Sequence, residues 1–268
     1  MRYAVHTSDD LTSFAAERFP AEQVLARADW LLVGSRCQPY ADDLSDWDTV
    51  LLTRDEVSAG ERDHVLGVLG PLAAAATITD TLESHVARRS RGSVDIEVVG
   101  PMERLRRESE ALVSWTHDLG SARVLYSGAG LSDAYRRHVE NRFQSQRHRL
   151  MDEAYASFRL ARNETAAALG RGAAAVQALT AGQCAIWAGR FWLLSAGEPH
   201  PGTKWLLAAM TARPDAADPV GCIDQLLDRS LPASTRYEAM WRLWRLVDQR
   251  ACRAGVSPLL LDGTPFLS

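Results

Sequence analysis

Lysine is almost missing from this chain. It occurs once, at Lys204, among 30 basic residues, and arginine supplies the rest. A lysine kept against so strong a preference marks either chance survival or a site that needs a compact ammonium rather than a guanidinium. Cysteine is scarce too: Cys37, Cys184, Cys222 and Cys252 form no CxxC pair, and no Cys/His group has zinc-finger spacing. That excludes a disulfide framework and a sequence-local structural zinc site, and it reads as free thiols in a reducing compartment. No apolar run approaches the ~20 residues of a membrane helix. The opening MRYAVHTSDD has no basic stretch followed by an apolar one, so no signal peptide is expected and the expected location is cytoplasmic. Nor is there an excess of positive charge. The formal net charge is −4, so neither nucleic acid nor an anionic membrane is an expected partner, a local basic groove aside.

What is present is an ordinary globular balance, with 46% hydrophobic and 24% charged residues over 268 positions. That is enough chain for one large domain or two small ones. Residues 9–28 read as helix interrupted at Pro20. Trp30-Leu31-Leu32-Val33 reads as a buried strand closed by Gly34-Ser35. A second strand covers 46–53, helix covers 60–88 with a break at Gly70-Pro71, and a third strand, Val94–Val99, alternates with period two. Helix follows at 102–118, then an edge strand at 123–126. From Ser132 to Leu169 the pattern is one long helix. Shorter helices follow at about 173–196, 203–212, 219–229 and 233–253, separated by Pro199, Pro201, Pro214 and Pro232. Strands mixed with helices and then helices alone predict two domains, 1–128 and 129–268.

The chemistry-bearing residues gather around the predicted strands. Asp46 and Asp48 stand two apart on one strand and so share a face. Two such carboxylates repel unless a cation lies between them, and Mg²⁺ takes one or two carboxylates together with phosphate oxygens and water. Gly34 permits close backbone approach, and Ser35 offers a hydroxyl and an N–H to a phosphate. The third strand adds Asp95 and Glu97. If it neighbours the second strand, Asp95 completes a three-carboxylate group suited to nucleotidyl transfer. Asp42 and Asp43 read as loop charges, and His117 and His200 as ordinary surface histidines. Trp187, Trp192 and Trp205 read as core.

This pattern resembles the nucleotidyltransferase superfamily that includes DNA polymerase β and the antibiotic nucleotidyltransferases. The likeness is carried by Val33-Gly34-Ser35, a ten-residue gap and Asp46-Trp47-Asp48, followed by Val94-Asp95-Ile96 as the strand of the third carboxylate. Thr49, where an aliphatic residue is usual, and Arg36-Cys37-Gln38-Pro39, where small residues are common, depart from it. The resemblance to antibiotic adenylyltransferases continues in Arg190-Phe191-Trp192-Leu193-Leu194, the turn Gly197-Glu198-Pro199-His200-Pro201-Gly202, and Thr203-Lys204-Trp205. It spans residues 25–210.

The resemblance implies an α+β protein, a small mixed-sheet nucleotidyltransferase domain followed by an all-helical C-terminal domain. It implies ATP as donor and Mg²⁺ held by Asp46, Asp48 and Asp95, with Asp95 binding a second metal ion, deprotonating the acceptor hydroxyl, or both. Gly34, Ser35, Arg36, Arg190 and Lys204 would contact the nucleotide, with ATP lying between the domains. The acceptor would be a small hydroxylated molecule such as an aminoglycoside, for which Asp152, Glu153, Glu164 and Glu198 could form acidic walls. Two alternatives stay open. One is a toxin-like transferase acting on tRNA or protein, suggested by Arg136, Arg137, Arg142, Arg147 and Arg149 on the long helix. The other is a non-catalytic nucleotide-sensing module.

Overall fold

The structure is a computed structural model. It describes Val5, residues 7–41, 45–55, 57–70, Leu72, 94–99, 109–172 and 174–256, with backbone alone at Leu66, 95–99 and 109–111. The expected helical segments 73–88 and 102–108 lie outside these residues, as do Asp42 and Asp43.

Helix α1 (Ser8–Arg18) begins with a reciprocal cap. The Thr7 hydroxyl accepts from the Asp10 N–H, and the Asp10 carboxylate accepts from the Thr7 N–H at 2.8 Å. It runs out at Phe19-Pro20, where the proline ring cannot continue a helix. Strand β1 (Ala28–Leu32) is buried along its whole length. Strand β2 (Trp47–Thr53) pairs with it antiparallel, and β3 (Val94–Val99) pairs with β2 in parallel. Strand β4 (Arg123–Ser127) pairs antiparallel with the other side of β1. The sheet is therefore mixed and four-stranded, in the order β3-β2-β1-β4, with the expected edge strand at an edge.

Both faces of the sheet are covered, which is why β1, Asp29 apart, reads as an apolar run rather than an alternation. Trp30, Trp47 and Leu51 pack on one side with Leu11 and Phe14 of α1 and Val65 and Leu69 of α2 (Ala59–Leu69). Leu31, Val50 and Leu52 pack on the other with Leu112 and Leu119 of α3 (Ser109–Gly120) and Tyr135 and Val139 of α4 (Ser132–Arg171).

The chain divides into two compact units, residues 1–141 and 142–268. The division falls inside the 40-residue helix α4, because Tyr135 and Val139 belong to the core of the sheet. The second unit holds the remainder of α4 with α5 (Ala174–Ser195), α6 (Leu206–Thr211), α7 (Ala217–Leu227) and α8 (Ala233–Ala254). Its described residues hold helices joined by turns and no strand. Phe158, Phe191 and Leu243 are fully buried in it. Arg236, also buried, ties three helices together: it donates to the Leu226 carbonyl at 2.9 Å and to the Gln177 side chain at 3.0 Å. Among the described residues no helix is long and apolar enough to cross a membrane.

Candidate functional site

Strand β1 gives way to a turn against the start of β2. Val33 N–H donates to the Asp48 carbonyl at 2.8 Å, holding the two chains together one residue beyond β1. Gly34 follows with φ +72, a left-handed conformation that side-chain-bearing residues rarely adopt. A Cβ at this position would stand 2.6 Å from Asp48 Oδ2. The turn thus needs glycine for its backbone and for the carboxylate beside it. Ser35, buried, opens a single 3₁₀ turn through Cys37. Arg36 braces that turn toward β2: its Nε–H donates to the Ser45 carbonyl at 2.9 Å, and its guanidinium lies 4.7 Å from the Trp47 ring centroid.

Asp48 lies within β2, but Asp46 falls one residue before it. Strand alternation thus fixes the face of Asp48, and Asp46 stands just before the first paired residue of the strand. Both are half-buried. The expected third strand is where the carboxylate reading needs it. In the parallel β2·β3 register Asp48 is opposite Asp95, and Val50 is opposite Glu97. Paired positions on adjacent strands sit about 4.8 Å apart and share a face, so positions 48 and 95 are immediate neighbours on the face that also carries Val50 and Leu52. Among the described residues no three His, Cys, Asp or Glu side chains come together as a metal site. The side chain of Asp95 lies outside those residues.

The second group of expected residues stands in the helical unit. Arg190 on α5 is buried. Its Nη2 donates to Thr203 Oγ1 at 3.3 Å and its guanidinium lies 4.7 Å from the Trp187 ring. Thr203 opens the 3₁₀ turn Thr203–Trp205, and the exposed Lys204 extends over the Trp205 ring at 4.6 Å. Arg190 therefore fixes the residue preceding Lys204. Next to Thr203 is a cavity of about 200 Å³ with apolar walls that include Ile186, Leu206 and Met210. The connecting turn is stapled by ions. Arg213 pairs with Glu198 and with Asp215 at 2.9 Å, and Arg250 pairs with Asp215 at 2.8 Å and donates to Ser195 Oγ at 2.5 Å. The hydrogen bond from Arg213 leads the set that holds the Asp215 carboxyl below its ordinary value. Gly197, with φ +85, lies where a Cβ would be 2.7 Å from Arg147 Nη1. His200 is not a surface residue. It is buried, with Nδ1 3.0 Å from the Pro201 carbonyl oxygen. Trp192 is buried as expected, whereas Trp187 and Trp205 are half-buried.

Sequence reasoning passed over Asp29. This fully buried carboxylate sits in β1 and takes six hydrogen bonds. Oδ1 accepts from Ser127 Oγ at 3.2 Å, Ala129 N–H at 2.9 Å and Gly130 N–H at 3.0 Å. Oδ2 accepts from Leu131 N–H at 2.7 Å, Ser132 N–H at 2.8 Å and Ser132 Oγ at 2.6 Å. Burial alone would raise its pKa, but the hydrogen bonds from Ser132, Ala129 and Leu131 outweigh it and hold the carboxyl below its ordinary value. Asp29 thereby fastens the start of α4 to the centre of the sheet and satisfies N–H groups that a helix start leaves open.

No family model matches this sequence, and no curated protein matches it. Among solved structures the chain is similar to a nucleotidyltransferase-like protein from Exiguobacterium sibiricum 255-15, at 14% identity and a TM-score of 0.46, over 93% of this chain and 77% of that one. A likeness at that distance assigns neither an activity nor a substrate.

Proposed function

We propose that the protein transfers a nucleotide from a nucleoside triphosphate to a hydroxyl group, with Mg²⁺ and with pyrophosphate as the second product. The observation that carries this reading is the register of Asp48 against Asp95 beside a turn that only glycine can make. The donor set suits Mg²⁺, a hard cation that takes carboxylate oxygens, and the space beside the Asp48 carboxylate is kept open by the missing Cβ of Gly34. Asp46, Asp48 and Asp95 would hold the ion. When bound, Mg²⁺ would neutralise charge on the triphosphate and on the departing pyrophosphate.

The chain's own groups do the rest. Ser35 binds phosphate oxygens through its hydroxyl and its N–H, and Lys204, on the helical unit, adds a compact positive charge. Asp95 accepts the proton of the attacking hydroxyl. That oxygen forms a bond to the α-phosphorus while the bond from phosphorus to the bridging oxygen breaks, and the electron pair leaves with pyrophosphate. Positioning and charge neutralisation supply the rate. ATP is the proposed donor and a small polyhydroxylated molecule, aminoglycosides among them, the proposed acceptor. Two of the four carboxylates expected to face a polycation are committed to arginines, Glu153 to Arg149 and Glu198 to Arg213. A polycationic acceptor thus has weaker support than a neutral polyol. The RNA-directed alternative also loses support. Arg136 donates to the Ala122 carbonyl, Arg147 packs at Gly197 and Arg149 pairs with Glu153.

The test is thermal stabilisation by ATP, GTP, CTP and UTP, each with and without Mg²⁺, for wild type and Asp48→Asn. A ligand at about 100 times its Kd stabilises by ~2.7 kcal/mol. The expected result is a Mg²⁺-dependent shift that the variant loses, followed by pyrophosphate release with a hydroxylated acceptor. Binding without release under any acceptor would favour the sensing module, and no shift with any nucleotide would overturn the reading.

A further inference from the structure

The segment that carries Ser35 is anchored on both sides. Toward β2 the anchor is Arg36. On the other side the segment reaches α3. Gln38 Nε2 donates to Ser121 Oγ at 2.5 Å, and Tyr40 Oη lies 3.3 Å from His117 Nε2. His117 Nδ1 in turn lies 3.2 Å from Asp118 Oδ1. The imidazole is mostly buried, its side chain 14% exposed. Burial and then the Asp118 charge push the Tyr40 hydroxyl above its ordinary value, so it keeps its proton. A protonated Tyr40 can donate to Nε2, and in the tautomer that carries the ring proton on Nδ1 that N–H donates to Asp118.

We propose that Tyr40, His117 and Asp118 form a positioning relay that holds the Gly34–Cys37 turn in its phosphate-binding shape. This rests on the nucleotidyltransferase reading. Within the turn, Cys37 N–H donates to the Gly34 carbonyl at 3.1 Å and Gln38 N–H to the Ser35 carbonyl at 2.8 Å. Those bonds aim the Ser35 segment, and the relay restrains the chain just beyond them. None of the three residues need touch substrate. Tyr40 and His117 are 77 positions apart, so no local motif announces the pairing.

Two readouts test the relay on the full chain. The first is hydrogen exchange at the Cys37 and Gln38 amides, which needs no nucleotide. The second is the Kd of Mg²⁺–ATP, with the KM-against-kcat split where turnover is measurable. Tyr40→Phe, which keeps the ring, and His117→Ala should each speed exchange about 5-fold, the equivalent of one ordinary hydrogen bond. Each should weaken nucleotide binding by a similar factor, through KM more than kcat. His117→Gln, whose amide reaches as far as Nε2 and still accepts from Tyr40, should restore both. Unchanged exchange in Tyr40→Phe and His117→Ala overturns the relay whatever the nucleotide does. Faster exchange with unchanged nucleotide affinity overturns the phosphate-binding role of the turn. A wild type that binds no nucleotide overturns the functional reading and the positioning role with it, while exchange still shows separately whether the relay holds the turn.

Discussion

The carboxylate of Asp48 occupies space that a side chain at position 34 would need, since Oδ2 lies 2.6 Å from where a Cβ would be on Gly34. The backbone there is left-handed as well. Gly34→Ala should therefore cost about 1–3 kcal/mol of stability and displace the Asp48 carboxylate. The expected outcome is a lower urea midpoint with an unchanged m-value, and loss of nucleotide-induced stabilisation. A variant with the wild-type midpoint would show that the turn accepts an alanine.

Asp48→Asn should behave differently. Positions 48 and 95 are acidic neighbours in register, and like charges directly opposite destabilise a sheet. Without metal, the variant should be as stable as wild type or more stable by up to about 1 kcal/mol. Nucleotide transfer should fall by roughly 10²-fold or more. Unfolding in chelator and pyrophosphate release, measured on one preparation, check both halves.

Asp29 contributes to acid stability. Its carboxyl is held below its ordinary value in the fold, so its contribution is present above the unfolded-state value of ~3.9 and fades as pH falls through the lower folded value. Asp29→Asn replaces an acceptor by an amide that confronts N–H donors. It should cost about 2–4 kcal/mol at pH 7. Denaturant unfolding from pH 7 to pH 3 should show the gap between variant and wild type closing only below about pH 4.

Lys204 should be nearly neutral for folding. It is exposed and stacks on Trp205, an arrangement worth about 0.5–1 kcal/mol at most at such a site. Lys204→Met should leave the unfolding midpoint close to wild type and weaken Mg²⁺–ATP binding. Lys204→Arg should recover only part of the binding if a compact ammonium is what the site requires. Full recovery would mean that charge alone suffices.

The parts legible in the sequence were those written locally. Gly34-Ser35, the spacing to Asp46-x-Asp48, and the alternation of Val94–Val99 are short patterns, and the structure gives β3 its place beside β2. The combination of helices with a small mixed sheet also came through. Asp46 stands one residue before β2, so strand alternation does not by itself set its face. His200 misled because it lies in a Pro/Gly turn, which reads as surface, yet it is buried there. Asp29 was silent for another reason. Its partners lie 98 to 103 positions away, and a single acid before an apolar run looks like any strand entry. The Tyr40–His117 pairing and the Arg250–Asp215 arm of the staple, 77 and 35 positions apart, are invisible for the same reason. They are made by tertiary structure, and no local spacing encodes them.

The solitary, exposed Lys204 has a practical side. Apart from the amino terminus, this chain offers an amine-directed reagent a single ε-amino target, and that target rests 4.6 Å from an indole ring. A chromophore attached there would be site-specific without any engineered cysteine, and Trp205 would serve as its built-in fluorescence donor.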